Sequence, residues 1–256
     1  MTTFSTMHVL LSNAYQVTDL LPYHTWDIYH IEPDRSKKSD VAMTLWVNEI
    51  FFSIQGESTY AGLPCAFVRL SGCNLRCTYC DTTYAYDQGK HMTIPEILTE
   101  LKKWDPLWVE VTGGEPLLQD RTPELIRSLI GEGYRVLLET NGSFDIGRVD
   151  PKCIRIVDLK CPSSGESNRI FWQNIDRLTP KDQIKFVIQD RRDYAFAKAT
   201  LEKIGSRIPY GHRLFSPVQS VLPARDLAEW ILQDEIRVRL HLQLHKILWP
   251  EDPRGR

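Results

Sequence analysis

The sequence lacks a long apolar run, an excess of charge of one sign, and a fourth ligand residue beside its cysteine-rich loop. No apolar run reaches the about 18 residues that a membrane-spanning helix needs, so we expect no membrane span. The formal net charge is −2, and this balance predicts neither a nucleic acid nor an anionic membrane as a partner. Because we find no secretory signal, we expect the cysteines to lie in a reducing compartment, the cytoplasm.

The composition is that of an ordinary globular protein, with 42% apolar and 25% charged residues among 256. This length suits one α/β domain with a small appendage. Residues 1–43 show no persistent helical or strand period, and we interpret them as an N-terminal extension that is irregular or outside the native domain. We expect residues 44–256 to form the domain.

Strand-like and helix-like segments alternate from Leu45 onward. We predict strands over 45–54, 65–70, 108–112, 135–140, 154–160, 183–188, 213–215 and 240–244, and helices over 94–104, 122–132, 193–204 and 223–232. This alternation favours βα units around a parallel sheet. About six units are too few for a closed eight-fold barrel, so we expect an open or partial barrel.

Polar and glycine-rich residues follow several of the predicted strands. They lie in the cysteine loop, at 112–116, 139–142 and 158–162, at Lys185, and at Ser216 and Pro217. In parallel sheets the carboxyl ends of the strands gather on one side and bind ligands there. We therefore predict that these residues converge on one mouth.

Cys73, Cys77 and Cys80 follow a predicted strand at spacing C-x3-C-x2-C. Three thiolates would leave one iron of a [4Fe–4S] cubane without a protein ligand, which is typical of a catalytic site. A zinc site is an alternative, but it lacks a fourth Cys or His at ligand spacing. A disulfide with a spare thiol is another, but a chain of this size does not need one. We interpret Cys65 and Cys153, with Cys161, as small buried or loop residues.

The three-cysteine motif, with an aromatic residue before its last cysteine, resembles the radical S-adenosylmethionine (SAM) superfamily. Arg69, the triplet 80–82, and segments 52–58, 112–116, 158–165 and 242–246 extend the likeness. Together they resemble the 7-carboxy-7-deazaguanine synthase family over about residues 45–250. One departure is Ser58, where that family usually has glycine; serine is tolerable in a tight turn but costs backbone freedom.

The resemblance implies a partial (β/α)6-type radical SAM barrel with an open parallel sheet, usually as a homodimer. It implies a lyase that converts 6-carboxy-5,6,7,8-tetrahydropterin to 7-carboxy-7-deazaguanine with loss of ammonia, in queuosine and deazapurine biosynthesis and hence tRNA modification. A 5′-deoxyadenosyl radical from SAM would abstract hydrogen, and Mg²⁺ would assist the ring contraction. An external flavodoxin-like electron donor would supply the electron.

The same resemblance assigns the site residues, none of which is a certain general acid or base. The [4Fe–4S] ligands would be Cys73, Cys77 and Cys80, and the Mg²⁺ ligand Thr82. The SAM contacts would be Tyr79, Cys80, Asp81, Gly114, Lys160, Cys161, Pro162, Phe215, Ser216, Pro217 and Val218. The substrate contacts would be Ile54, Gln55, Gly56, Glu57, Arg69, Thr112 and His245.

Some of these residues also have purely structural interpretations. Gly113 to Pro116 could form a turn with a solvated Glu115. Arg69 could form an ion pair on a strand edge, and Thr82 could cap a turn or helix.

At the level of function, the alternatives are an activase that installs a glycyl radical on a partner protein, and a non-enzymatic metal-binding module. Such activases often carry additional ferredoxin-like cysteine clusters, which this sequence lacks.

Overall fold

The computed structural model of the protein describes residues 43–251, 254 and 255. The predicted N-terminal extension, residues 1–43, lies outside them except for Met43. Within the described range, none of the helices has the length and apolar character needed to cross a membrane.

One nine-stranded sheet organises the described residues. Its strands are β1 (Leu45–Ile54), β2 (Pro64–Leu70), β3 (Lys90–Met92), β4 (Trp108–Gly113), β5 (Arg135–Thr140), β6 (Ile154–Asp158), β7 (Gln183–Ile188), β8 (Arg213–Pro217) and β9 (Arg239–Leu240). The spatial order is β3-β1-β2-β4-β5-β6-β7-β8-β9, and β3 does not pair with β9, so the sheet stays open as predicted.

The sheet is parallel from β2 to β9, but β1 runs antiparallel to both β2 and β3. The predicted open parallel sheet is therefore confirmed from β2 to β9, and β1 and β3 add an antiparallel edge that the sequence did not indicate. The reason is the short connection from β1 to β2, residues 55–63, because a parallel crossover needs a dozen residues or more. Strand β3 was not predicted, since three residues carry too little periodicity to identify.

Six helices lie among the described residues: α1 (Ile94–Leu101), α2 (Thr122–Gly131), α3 (Asn174–Arg177), α4 (Arg191–Ile204), α5 (Ala224–Gln233) and α6 (Leu244–Leu248). Helix α1 begins with the predicted capping box of Thr93 and Glu96. Asp190 accepts hydrogen bonds from two backbone N–H groups at the start of α4. Local sequence signals thus set where these helices begin.

The last predicted strand, 240–244, is wrong. Strand β9 ends at Leu240, and Leu244 begins α6. The alternating Leu240, Leu242 and Leu244 suited a strand, but Leu242 is partly exposed and the backbone N–H of Leu244 donates to Gly56 O at 2.8 Å. The chain leaves the sheet there and crosses to the loop after β1.

The main hydrophobic core fills the space between the sheet and its helices. Buried side chains of β4 to β8 pack there against Ile97, Leu125, Leu129 and Leu201. Phe51, Cys65 and Phe67 form a second, smaller cluster. The helices and this core thus support the parallel strands, whose carboxyl ends carry the residues predicted for the site.

Candidate active site

The carboxyl ends of the parallel strands surround one cavity of ≈ 630 Å³. All the strand-end segments named from the sequence contribute residues to its wall. The predicted convergence on one mouth is therefore confirmed.

Most of the residues expected at the site line this cavity. They are Ile54, Gln55, Gly56, Glu57, Arg69, Cys73, Cys77, Tyr79, Cys80, Asp81, Thr82, Thr112, Gly114, Lys160, Ser216, Pro217, Val218 and His245.

Three of the expected SAM contacts do not reach the cavity: Phe215, Cys161 and Pro162. Phe215 packs edge-on against Phe186, at 5.6 Å between ring centroids, because successive residues of β8 face opposite sides of the sheet. Cys161 is buried in the hydrophobic core. Pro162 begins the 3₁₀ turn that follows. These three side chains are not part of the cavity wall, and their expected contact with SAM stays a prediction.

The three-cysteine loop is tied to the loop after β6. Thr78 donates from its backbone N–H to Ser164 O, at 3.1 Å, and from its hydroxyl to Ser163 O, at 2.7 Å. The backbone N–H of Arg76 donates to Glu166 at 2.6 Å. The cysteine loop is thus fixed in place by protein contacts alone.

All six cysteines are free, which removes the disulfide alternative. Cys73, Cys77 and Cys80 face the cavity, whereas Cys65 and Cys153 are buried away from it. Three thiols on one wall of a cavity are a donor set that suits a [4Fe–4S] cluster with one open iron. Burial raises the pKa of Cys77 to about 11, so metal binding must displace its proton. Among the described residues, no three His, Cys, Asp or Glu side chains are placed to hold a single metal ion.

The glycine pair after β4 packs against the cysteine loop. A Cβ on Gly114 would lie 2.8 Å from the Cβ of Cys73 and would collide with the Gly72 carbonyl. A Cβ on Gly113 would lie 2.7 Å from Leu70 N. Both positions need glycine because the two loops approach closely.

Glu115 is fully buried, so the solvated-turn interpretation is wrong. Its carboxyl group accepts hydrogen bonds from Leu117 N at 2.9 Å, Thr140 Oγ1 at 2.8 Å and Asn141 N at 2.7 Å. Burial raises the pKa of Glu115 to about 7. This side chain joins the loops that follow β4 and β5.

A buried lysine binds three carboxylates on one side of the cavity. Lys185 Nζ lies 2.8 Å from Glu57 Oε2 and 3.6 Å from Asp158 Oδ2, and it also pairs with Glu139. Burial alone would raise the pKa of Glu57, but Lys185, His241, His245 and the hydrogen bond from Gln243 together outweigh burial, so the pKa lies well below its usual range. Lys160 makes a further ion pair with Asp158 at 2.8 Å.

Sequence reasoning placed Glu139, Asp158 and Lys185 at the predicted mouth but gave them no role, and it missed Glu110. Gln55 Nε2 donates to Glu110, whose pKa is raised well above its ordinary value by burial and by Glu139. The sequence signal that could have identified them is a charged residue near the carboxyl end of a predicted strand, on the face that turns toward the cavity. Their pairing across strands could not be inferred from local sequence.

Arg69 lies both at the cavity wall and in an ion pair. Its Nε donates to Glu49 at 2.8 Å across the β1–β2 ladder. Its guanidinium lies over the rings of Phe51 and Tyr84, at 5.6 and 5.9 Å. The strand-edge ion pair is therefore present, and the guanidinium also faces the cavity.

The C-terminal segment covers part of the mouth. Gln243 Nε2 donates to Glu57 Oε1 at 2.8 Å, and Lys246 pairs with Asp81 at 2.5 Å. Helix α6 places His245 against Gly56, where a Cβ would come within 2.9 Å of the histidine Cβ. The Thr82 hydroxyl donates to Asp81 at 3.0 Å and also lines the cavity.

Comparisons with known proteins agree with this architecture. Residues 67–161 match the model of the Radical SAM superfamily. A crystal structure of QueE from Escherichia coli is similar over 83% of this chain and 99% of that chain, with a TM-score of 0.68 and 22% identity, which shows the fold. The fold and the three-cysteine loop define a radical SAM enzyme.

Curated relatives extend the likeness to nearly their whole length. A 7-carboxy-7-deazaguanine synthase from Koribacter versatilis is 43% identical over 225 residues, covering 82% of this chain and 99% of that protein. One from Chlorobaculum tepidum is 45% identical over 212 residues, covering 82% and 96%. The chain belongs to the 7-carboxy-7-deazaguanine synthase family.

Proposed function

We propose that this protein converts 6-carboxy-5,6,7,8-tetrahydropterin into 7-carboxy-7-deazaguanine with loss of ammonia. The observation that carries the proposal is one cavity that combines three free thiols with buried carboxylates and cations. A cavity of ≈ 630 Å³ suits a small molecule beside a nucleoside cofactor. It favours this reaction over the activase, whose substrate is a protein.

We assign the cluster to Cys73, Cys77 and Cys80. When bound there, a [4Fe–4S] cluster and SAM supply one-electron chemistry that generates a radical for hydrogen abstraction. Lys160 places a positive charge near Cys73 and Cys77, which favours their thiolates. We assign the SAM contacts to the cavity-lining members of the expected set, with Gly114 beside the cysteine loop.

The opposite side of the cavity suits the pterin. Glu57 stays ionised beside Lys185 and offers carboxylate oxygens to the N–H groups of an aminopyrimidinone edge. Burial and the neighbouring Glu139 raise the pKa of Glu110, which favours its protonated form, and in that form the carboxyl group can also donate. We assign the substrate carboxylate to Arg69, whose guanidinium presents several donors beyond the one used by Glu49.

We propose that Mg²⁺ binds at Thr82. Its hydroxyl and the neighbouring Asp81 carboxylate supply the oxygen atoms that this cation prefers, with water and substrate completing the set. Asp81 pairs with Lys246, so the metal would compete with that ion pair.

We further propose that the protein forms a homodimer in the cytoplasm and receives its electron from a flavodoxin-like donor. We also propose that its product is used in tRNA modification.

The decisive experiment is anaerobic turnover. Reconstituted protein is supplied with SAM, dithionite, Mg²⁺ and the carboxy-tetrahydropterin, and mass spectrometry follows the deazaguanine carboxylate. We expect product and ammonia in equal amounts. A reducible cluster that cleaves SAM but forms no product from this pterin would contradict the proposed substrate.

Variants separate the two metal assignments. Cys77→Ala should abolish SAM cleavage while Cys153→Ala, at a buried cysteine away from the cavity, should keep it. Thr82→Ala should raise the Mg²⁺ concentration needed for half-maximal rate, whereas the exposed neighbour Thr83→Ala should not. Equal behaviour within either pair would reject that ligand assignment.

Deleting residues 1–43 should leave the rate unchanged if they lie outside the native domain.

A further inference from the structure

The side chain of Asn141 lies directly behind the cysteine loop. Asn141 follows β5, lines the cavity and is only 7% exposed. Its Nδ2 lies 3.9 Å from Cys73 Sγ and 3.1 Å from Asn74 Oδ1. No role in the proposed reaction uses this contact.

The amide orientation of Asn141 is fixed by its neighbours. Its Oδ1 accepts from Ser143 N at 3.0 Å and from Ser143 Oγ at 2.6 Å. Asn74 Nδ2 in turn donates to Ser143 Oγ at 2.9 Å, so Asn74 must present its Oδ1 to Asn141. A flipped Asn141 amide would set oxygen against oxygen and N–H against N–H. Only the donor end of the amide can therefore face Cys73.

The backbone beneath this side chain is equally constrained. The N–H of Asn141 donates to Glu115 Oε2 at 2.7 Å, and Glu115 is itself fully buried. The loop after β5 is thus anchored to the loop after β4, on which Gly114 packs against Cys73. The amide is preorganised toward the sulfur before any cluster binds.

We propose that Asn141 is a positioning residue whose Nδ2 donates a hydrogen bond to Cys73 Sγ and raises the reduction potential of the bound cluster. The inference rests on the proposed function, because it takes Cys73 as a cluster ligand. A donor aimed at a ligand sulfur stabilises the more negative, reduced state more than the oxidised state. Leu75 N also donates to this sulfur, at 3.4 Å, but that backbone donor persists in any side-chain variant.

Two substitutions remove the donor, one without a change of charge and the other with an added negative charge. Asn141→Leu replaces the amide with an apolar group of similar shape, and Asn141→Asp replaces it with an acceptor. We expect each to lower the equilibrium constant for one-electron reduction about tenfold or more, with Asp the larger effect. For one electron, tenfold corresponds to about 59 mV.

A matched control is available in the same region. Asn174 is also buried and donates to Gly142 O at 3.2 Å and Phe144 O at 2.8 Å, but it contacts none of the three cysteines. Asn174→Leu should loosen the same loop without shifting the potential. Ser143→Ala removes one of the two donors that hold Oδ1, and it should shift the potential in the same direction by less.

The test is a redox titration of the reconstituted holoprotein with dithionite, in which one electron enters each cluster, read by the electron paramagnetic resonance of the reduced state. Iron content is measured in parallel, and SAM is left out. Lowered potentials in both Asn141 variants, with Asn174→Leu unchanged, support the proposal.

Three results would overturn it. Unchanged potentials in both Asn141 variants would show that this hydrogen bond does not influence the reduction potential of the cluster. An equal shift in Asn174→Leu would assign the effect to a loosened loop. Wild-type protein that takes up no cluster would reject the inference together with the proposed function, whereas lack of product from an intact cluster would reject the substrate alone. If Asn141→Leu does not fold, Asn141→Asp and Ser143→Ala decide between these results.

Discussion

Replacing Lys185 with Met is the sharpest test of how this cavity is held together. The Lys185 side chain is 6% exposed, and its ammonium group is shared by Glu57, Glu139 and Asp158. Methionine keeps most of the volume but leaves three neighbouring carboxyl groups without their shared cation. Removing one partner of a buried ion pair costs about 3–5 kcal/mol, because the other charge stays buried and uncompensated.

The cost depends on pH in a defined direction. In the wild type, Lys185 keeps the pKa of Glu57 below its usual range, so this stabilisation is present above the unfolded pKa and is lost in acid. In the variant, burial and mutual repulsion are no longer offset by the lysine, so the pKa of Glu57 rises and that of Glu139, already raised by burial, rises further. The variant should therefore lose stability as the pH rises from about 4 to 8, and the full difference from wild type should appear near neutrality.

Thermal and urea unfolding of the cluster-free protein at several pH values measure this difference. At about 2–4 °C per kcal/mol for a chain of this size, we expect Lys185→Met to melt roughly 6–20 °C lower near neutral pH. Lys198→Met is the control, because its pair with Asp234 is 38% and 30% exposed and is worth less than about 1 kcal/mol. A Lys185→Met protein that is no less stable than Lys198→Met near pH 8 would refute the reasoning.

Three further predictions concern the loops around the cavity. Gly114→Ala should lose about 1–3 kcal/mol of stability and bind much less iron than wild type on reconstitution, because the added Cβ meets the cysteine loop. The control Gly131→Ala, where the added Cβ meets open space, should be neutral or slightly stabilising. Because the pKa of buried Glu115 is raised to about 7, the stability that its protonated form contributes is present in acid and lost as the pH rises through that value. Urea unfolding between about pH 4 and 8 should therefore show that the wild type loses about 3 kcal/mol more than Glu115→Gln does. Ser58 has a φ of 63°, so by thermal unfolding Ser58→Ala should be less stable than Ser58→Gly by about 1 kcal/mol, and equal stability would show that the turn is not strained.

Local patterns predicted most of the sheet. The bounds of β1, β5 and β7 coincide with the predicted strands, because apolar-rich segments bounded by polar or turn residues leave little choice of where the strand begins and ends. The end of the chain was assigned wrongly because Leu240, Leu242 and Leu244 alternate as in a strand. What decides there is a tertiary contact, the hydrogen bond from Leu244 N to Gly56 O, which no local period contains.

The site shows the same division. The cysteine spacing and the glycine pair are local, so their position at the cavity could be predicted from the sequence. The reason for the glycines could not, because Gly114 is required by the neighbouring cysteine loop as much as by any ligand. The pairing of Lys185 with Glu139 joins residues from separate strands, and only the folded sheet brings them together.

Glu57 is held by two partners from different parts of the fold, a strand of the sheet and the C-terminal segment. One of its oxygens is bound by Lys185 from β7, and the other accepts from Gln243, just before α6. A pterin that donates N–H groups to Glu57 can use the free lone pairs of the carboxylate, and where space requires a partner to leave, it replaces the more weakly held one. Breaking the buried ion pair costs more than releasing a neutral, partly exposed amide. Substrate should therefore displace Gln243 and leave Lys185 in place, which makes the C-terminal segment, and not the strand ends, the part of the site that moves on binding.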